Sequence, residues 1–385
     1  MVGKDGRYYE REQSQIKHVI LDKYLERFAR IVGSWAKGLI YIDAFSGPWN
    51  SLSDDLSDSS FAIACNQLRA ARESVEKIYK KTVPISCVFL ETDPDAFRQL
   101  ESFARAQKDL EIAALNRSFE SVIPDLVQFI KSKPRGYFPF VLIDPKGWKG
   151  FAMDSIRELI QLEPCEVLVN FMTGHIQRFI DDERDGVNAS FRKLFGDDSF
   201  ERRIEGLEGR EREDAIVGAY AERLKSVGRY PYTCTTFVLQ PTRDRTHYHL
   251  VYATRDVKGI QVFKEAEQKA LTLSESIRSD AKRRARENRS KQLELFSGTE
   301  LPDISHLDNL QEHYERLAIE VIETIFLSRT EIPYDELFAH VLRFPMVQES
   351  FVKAWVKDHA EVIGQPEKKV PQIRQNHVVR LRKKA

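Results

Sequence analysis

Three stretches in the first half of the chain, YIDAFSGPW, VFLETDP and VLIDPKGW, each run an apolar segment into a carboxylate and then a turn. Short continuous apolar runs are what strands of a parallel sheet look like when helices cover both faces. A strand with one wet face alternates instead. Open α/β sheets bind ligands outside the carboxyl ends of their strands, so Asp43, Glu91 and Asp144 are expected along one edge.

Strand segments are expected at 39–43, 86–91, 111–115, 140–144 and 166–171, separated by amphipathic helices at 61–79, 96–106 and 119–130. A helix over 12–32, closed by Gly33, precedes the first strand. A further helix is expected at 214–226. Two later segments, 233–239 and 248–253, face each other across PTRDRTH and read as a hairpin. Strand and helix alternation predicts a parallel doubly wound sheet. Parallel strands finished by an antiparallel hairpin make a Rossmann-like class I methyltransferase sheet the expected fold class.

From 274 to 291 apolar residues nearly vanish while Arg278, Lys282, Arg283, Arg284, Arg286, Arg289 and Lys291 accumulate, which predicts a basic linker or solvated helix. Beyond it, helices at 317–326, 334–341 and 347–358 and β-compatible pieces over 362–381 predict a winged helix-turn-helix. The division is therefore 1–272 methyltransferase-like α/β domain, 273–310 basic linker and 311–385 winged-helix-like domain.

Lysine plus arginine and aspartate plus glutamate both number 59, so nucleic-acid binding can be argued only from local charge. The basic tail, Lys368, Lys369, Arg374, Arg380, Arg382, Lys383 and Lys384, supplies one such place. Cys65, Cys87, Cys165 and Cys234 are widely spaced in apolar segments and read as reduced core thiols. No apolar run approaches the ~20 residues of a membrane span, and the first ten residues lack a leader's apolar core. A cytoplasmic protein without membrane contact is expected.

Each strand-end turn has its own chemistry. The loop after Asp43 contains Gly47 and Pro48 but only one glycine, so it lacks a dinucleotide fingerprint. Adenosylmethionine, which carries no phosphate and needs a carboxylate near its ammonium, suits it better. Glu91 is placed to accept both ribose hydroxyls. Asp93 and Pro94 read as a cap and first helical residue. Asn116, Arg117, Ser118 and Phe119 stand where an adenine fits, with Ser118 equally readable as a cap. The turn Asp144, Pro145, Lys146, Gly147, Trp148 holds a carboxylate, a cation and an aromatic ring where an acceptor is oriented. After Asn170 and Phe171, Thr173 reads as a helix cap and His175 as a surface residue or a catalytic one. His247 and His249 share a strand face without a third ligand nearby, and no metal is assigned.

The stretches IKHVILDKYL, GLIYIDAFSGPW, CVFLETDPDAF, FVLIDPKGWKGF, EVLVNFMTGHIQRF, FRKLFG and YHLVYATRDVKGIQVFKEA, in order over 15–269, resemble the three-Cys-motif partner family. The resemblance implies a methyltransferase-like sheet using S-adenosyl-L-methionine and a partner carrying a three-cysteine motif. It implies that Asp43, Phe45 and Gly47 line the methionine end, Glu91 the ribose, and Asp144, Pro145 and Gly147 the acceptor side, with Lys17 and His18 closing over the cofactor. Trp49 and Lys146 depart from the family's Gly-Pro-Gly and Asp-Pro-Phe-Gly turns.

Three functions follow as expectations. The first is methyl transfer to an unidentified acceptor, with nucleic acid a candidate because the Asp-Pro turn loosely resembles that of base amino-methyltransferases and Trp148 is available to stack on a flipped base. The second is a non-catalytic scaffold that binds DNA or the three-Cys partner. The third, a metal-dependent nuclease, needs carboxylates that converge; three separate strands spread them along a cleft.

Overall fold

Side chains alternate across a strand, so each apolar run is divided between two helical layers. The computed structural model describes residues 8, 11–47, 51, 53, 55–182, 184–290, 304–364 and 377–382. Seven strands, β1 (Gly38–Asp43), β2 (Ile85–Leu90), β3 (Glu111–Leu115), β4 (Tyr137–Ile143), β5 (Glu166–Phe171), β6 (Tyr232–Leu239) and β7 (Thr246–Thr254), form one sheet in the order β3-β2-β1-β4-β5-β7-β6. All ladders are parallel except those of β7, which is inserted antiparallel between β5 and β6. Tyr41, Phe89 and Phe140 point to one layer, and Ile42, Val88 and Val141 to the other.

The first layer holds α1 (Glu12–Trp35), α2 (Ser60–Tyr79) and α3 (Pro94–Ala106). The opposite layer holds α4 (Phe119–Ser132), α5 (Met153–Ile160), α6 (Thr173–Phe179), α7 (Asp185–Phe195), α8 (Ser199–Ile204) and α9 (Gly209–Gly228). Gly33 does not close α1 as expected; it lies inside the helix, where an added Cβ would stand 3.4 Å from Val75. Asp93 does cap α3, its Oδ1 accepting from the N–H groups of Asp95 (3.0 Å) and Ala96 (2.8 Å). All four cysteines are buried and free.

The basic stretch differs from its expected form. A single helix, α10 (Val257–Ser290), runs through the 272/273 boundary and packs beside α1 in the first layer. Arg278, on its basic part, is 2 % exposed and donates to Gln240 O, Arg243 O and Asp244 Oδ1. Lys282 also binds Asp244, and Arg284 binds Glu12. Arg278, Lys282 and Arg284 are turned inward onto partners distant in sequence, so up to residue 290 the stretch is a packed helix rather than a solvated one. Lys291 lies outside the described residues.

The C-terminal part comprises α11 (Ile304–Ser328), β8 (Glu331–Pro333), α12 (Tyr334–Val341), α13 (Glu349–His359), β9 (Ala360–Val362) and β10 (Val378–Leu381). Its strands form an antiparallel sheet in the order β8-β10-β9. It docks on β6, where Thr235 donates to Arg343 O through both its N–H (3.0 Å) and its hydroxyl (3.1 Å). A buried ion pair bolts it to α10: Lys264 Nζ stands 2.6 Å from Glu267 Oε2 and 2.7 Å from Phe344 O. Glu267 in turn accepts from Met346 N–H and Gln348. Of the basic tail, Arg380 pairs with Glu331 and Glu361, and Arg382 donates to Lys357 O. Lys368, Lys369, Arg374, Lys383 and Lys384 lie outside the described residues. Among the described residues no helix is long and apolar enough to cross a membrane.

Candidate active site

The strand order changes direction at β1 and β4, which are neighbours in space though far apart in sequence. Such a switch point leaves a crevice beyond the strand ends. Asp43 ends β1, Asp144 follows β4 directly, and Glu91 follows β2, so the three carboxylates do stand along one edge.

Asp43 is fully buried and holds the first loop together. Its Oδ1 accepts from Phe45 N–H at 3.2 Å and its Oδ2 from Ser60 Oγ at 2.7 Å, tying the loop to the start of α2. Burial pushes its carboxyl up to about 6, against the pull of the Ser60 hydroxyl. Ser46 stitches the same loop to β2, its hydroxyl accepting from Leu90 N–H and its own N–H donating to Leu90 O. Gly47 is buried and Phe45 half-buried, the latter edge-on to Phe119 at 6.1 Å. Gly150, at φ +91°, needs its glycine; a Cβ there would also approach the Phe45 ring to 3.4 Å. Pro48 and Trp49 lie outside the described residues.

Glu91 is 3 % exposed. Its Oε1 accepts from Asp93 N–H at 2.8 Å, which leaves the other oxygen uncommitted. That oxygen, Oε2, is buried and has no hydrogen-bond partner among the described residues. Buried polar atoms in this state are rare and costly. Nearby, Ser118 stands at the cap position of α4 without bonding through its side chain, and Phe119 is buried in the core.

At the fourth turn, Lys17 from α1 donates to Asp144 Oδ2 at 2.5 Å, and Asn170 at the end of β5 donates to Oδ1 at 2.6 Å. The Oδ1 of Asn170 is buried and partnerless among the described residues. Pro145 is buried and Lys146 exposed. A Cβ on Gly147 would meet nothing within 4 Å, so packing does not require that glycine. Trp148 is not free to receive a base: its ring stacks on Phe191 at 5.1 Å, its Nε1 donates to Ser190 Oγ at 2.9 Å, and Phe179 packs beside it. The aromatic face is used to fix α6 and α7 against the turn.

Lys17 and His18 part company. Lys17 reaches the cleft, whereas His18 is buried against the Tyr8 hydroxyl at 3.0 Å, and burial holds it well below the usual imidazole range. Thr173 does not cap α6 either; its hydroxyl donates to Phe171 O and contacts His249 Nδ1 at 2.8 Å. His247 packs beside Tyr248 on β7. Its imidazole is held low first by burial and then by the charges of His175 and Lys17. Pairings such as Lys17 with Asp144 leave no local sequence signal, because 127 residues separate the partners. Among the described residues no group of three or more His, Cys, Asp or Glu is placed to hold a metal.

The sheet order with β7 reversed defines a Rossmann-like fold of the methyltransferase type. No protein-family model matches the chain, and no curated protein does. Among solved structures, a Legionella pneumophila protein of family DUF519 is similar at 12% identity, with TM-score 0.38 over 66% of this chain and 90% of that one. Loganic acid methyltransferase with SAH aligns at 11% identity and TM-score 0.32, over 74% and 92% of the two chains. The O-methyltransferase TomG from Streptomyces achromogenes, in complex with SAM, aligns at 13% and 0.30, over 61% and 79%. At these scores the likeness adds nothing to the strand order, on which the fold class rests.

Proposed function

We propose that the crevice at the ends of β1, β2 and β4 binds S-adenosyl-L-methionine and that the protein is a methyltransferase of the three-Cys-motif partner type. The observation that carries this reading is the Oε2 of Glu91, a buried acceptor without a partner among the described residues, beside the switch point. A ribose hydroxyl satisfies it. The loop 43–47 faces the methionine end, and the bound cofactor would supply an electrophilic methyl group. Lys17 and Asn170 hold Asp144 in one orientation, and the partnerless Asn170 Oδ1 suits an N–H or O–H donor on the acceptor. An amino group, including that of a nucleobase, has this chemistry.

A scaffold reading draws on the C-terminal helices and three-stranded sheet, an arrangement that fits a winged helix. Such a module docks DNA or protein, here a three-Cys-motif partner. The two readings separate by calorimetry with adenosylhomocysteine on the full chain. Micromolar binding is expected; absence of heat at millimolar ligand removes the methyltransferase reading.

A further inference from the structure

At the edge of the sheet opposite the crevice, where β4 and β5 begin and β7 ends, a cavity of about 270 Å3 opens between the last turns of α1 and the first turns of α10. Phe28, Ile31 and Trp35 from α1, with Phe138 from β4 and Val262 from α10, give it apolar walls. Its rings meet edge to face: Phe138 stands 5.5 Å from Phe28 at 68° and 5.8 Å from Trp35 at 79°. Trp35 is 59 % exposed, so the indole borders the opening to solvent.

Of the charged residues lining this cavity, Glu166 alone is buried, at 4 % exposure. Tyr24 donates to its Oε2 and Thr254 to its Oε1 at 2.7 Å, and the Tyr252 hydroxyl in turn donates to Tyr24 at 2.8 Å. Hydroxyl protons aimed at both oxygens suit an ionised carboxylate, and each oxygen keeps a second lone pair. Among the described residues no cation pairs with it. Arg255 is spent on the carbonyls of Cys165 (2.9 Å) and Gly228 (2.8 Å) and lies over the Tyr230 ring at 4.2 Å. At the rim Lys258 and Asp256 are both exposed and offset one another; Lys258 Nζ donates to Gln261 at 3.0 Å, and Asp256 caps α10, its Oδ1 accepting from Lys258 N–H at 2.8 Å. The charge that bears most on Glu166 is that of Asp256, which has the same sign. A buried carboxylate without a countercharge is costly to keep. Gly259 lets α10 come this close to the cluster; a Cβ there would stand 2.4 Å from Tyr252 Oη and 3.1 Å from Glu166 Oε1.

We propose that this cavity binds a small organic amine, its ammonium donating to the Glu166 carboxylate and its apolar body held among Phe28, Trp35 and Phe138. The ammonium supplies the missing countercharge, and aromatic faces near it add cation–π attraction. The site does not depend on the cofactor reading of the strand-end crevice.

The test is calorimetry of the full chain at neutral pH with 2-phenylethylamine, its neutral counterpart 2-phenylethanol and Nα-acetyl-lysinamide, with saturating adenosylhomocysteine present to occupy the crevice. Phenylethylamine is expected to bind at least about tenfold more tightly than phenylethanol, the scale of one charge-assisted hydrogen bond. Glu166→Gln, with its thermal midpoint within a few degrees of the parent, loses that preference. Ile31→Trp, which fills the cavity from the α1 side and leaves the bonds of Glu166 in place, loses binding of both probes and answers the question even where Glu166→Gln does not fold. Equal binding of amine and alcohol, or undiminished binding by either folded variant, overturns the site. Tighter binding of Nα-acetyl-lysinamide than of phenylethylamine marks a lysine side chain as the occupant and overturns the small-amine proposal.

Discussion

Lys17 Nζ lies 2.5 Å from Asp144 Oδ2, joining the first helix to the end of the fourth strand across 127 residues. Both side chains are largely sheltered, at 17 % and 10 % exposure. The pair closes one end of the crevice and, with Asn170, leaves Asp144 one orientation.

Removing one partner strands the other in a poorly hydrated place. Lys17→Met is expected to lower stability by about 2–4 kcal/mol, below the full cost for a fully buried pair. The double variant Lys17→Met/Asp144→Asn should recover part of it, and a coupling energy of about 1–3 kcal/mol from urea melts is the expected result. Additive losses would show that the two charges do not act together.

The Glu91 side chain offers a sharper split between binding and folding. Glu91→Gln keeps an oxygen for Asp93 N–H but presents a neutral group where the proposed ribose would bind. Adenosylhomocysteine affinity is expected to fall about tenfold to a hundredfold, the scale of a charge-assisted hydrogen bond, with a midpoint within a few degrees of the parent. Loss of folding with retained affinity contradicts the assignment.

Asp43 gives a pH signature. Its carboxyl titrates near 6 in the folded chain against 3.8 ordinarily, so between these values the folded state holds a proton that the unfolded state releases. The associated stability is complete below about pH 4 and is lost as pH rises to about 6, after which the ionised group costs about 3 kcal/mol. Asp43→Asn should therefore gain on the parent as pH rises from 4 to 7. A difference in unfolding free energy that stays flat over that range refutes it.

The aromatic anchor makes a fourth case. Trp148→Phe loses the bond to Ser190 and is expected to cost about 1 kcal/mol. Trp148→Ala also empties the stack on Phe191, at about 2–4 kcal/mol. Denaturant midpoints decide between this and a free, substrate-facing ring, which either substitution would leave nearly neutral in stability.

A fifth concerns the joint between sheet and C-terminal part. Glu267→Ala leaves Lys264 buried and unpaired and frees Met346 N–H, a loss of about 3–5 kcal/mol. Hydrogen exchange over 344–348 should accelerate first.

The sheet was legible in the sequence because an apolar run ending in Asp or Glu reports burial on two faces and the end of a strand at once. YIDAF and VLIDP needed no distant partner to be read. The joint was not legible for the opposite reason. Lys264 and Glu267, three apart on a helix, look like a surface pair, and Arg278 looks like one more solvated charge. Their burial is decided by Phe344, Met346, Gln240 and Asp244, residues that helical spacing cannot reveal. The same holds at the cleft, where Asn170 marks a strand end in sequence but shows its role only beside Asp144.

The contact of Thr235 with Arg343 bears on how the chain can be cut. An outermost strand with unmet N–H and C=O groups is a template for pairing with other molecules. Here part of that border is met from within the same chain. A fragment ending at residue 272 would sever α10 midway and bare β6, so it is expected to self-associate rather than stay monomeric.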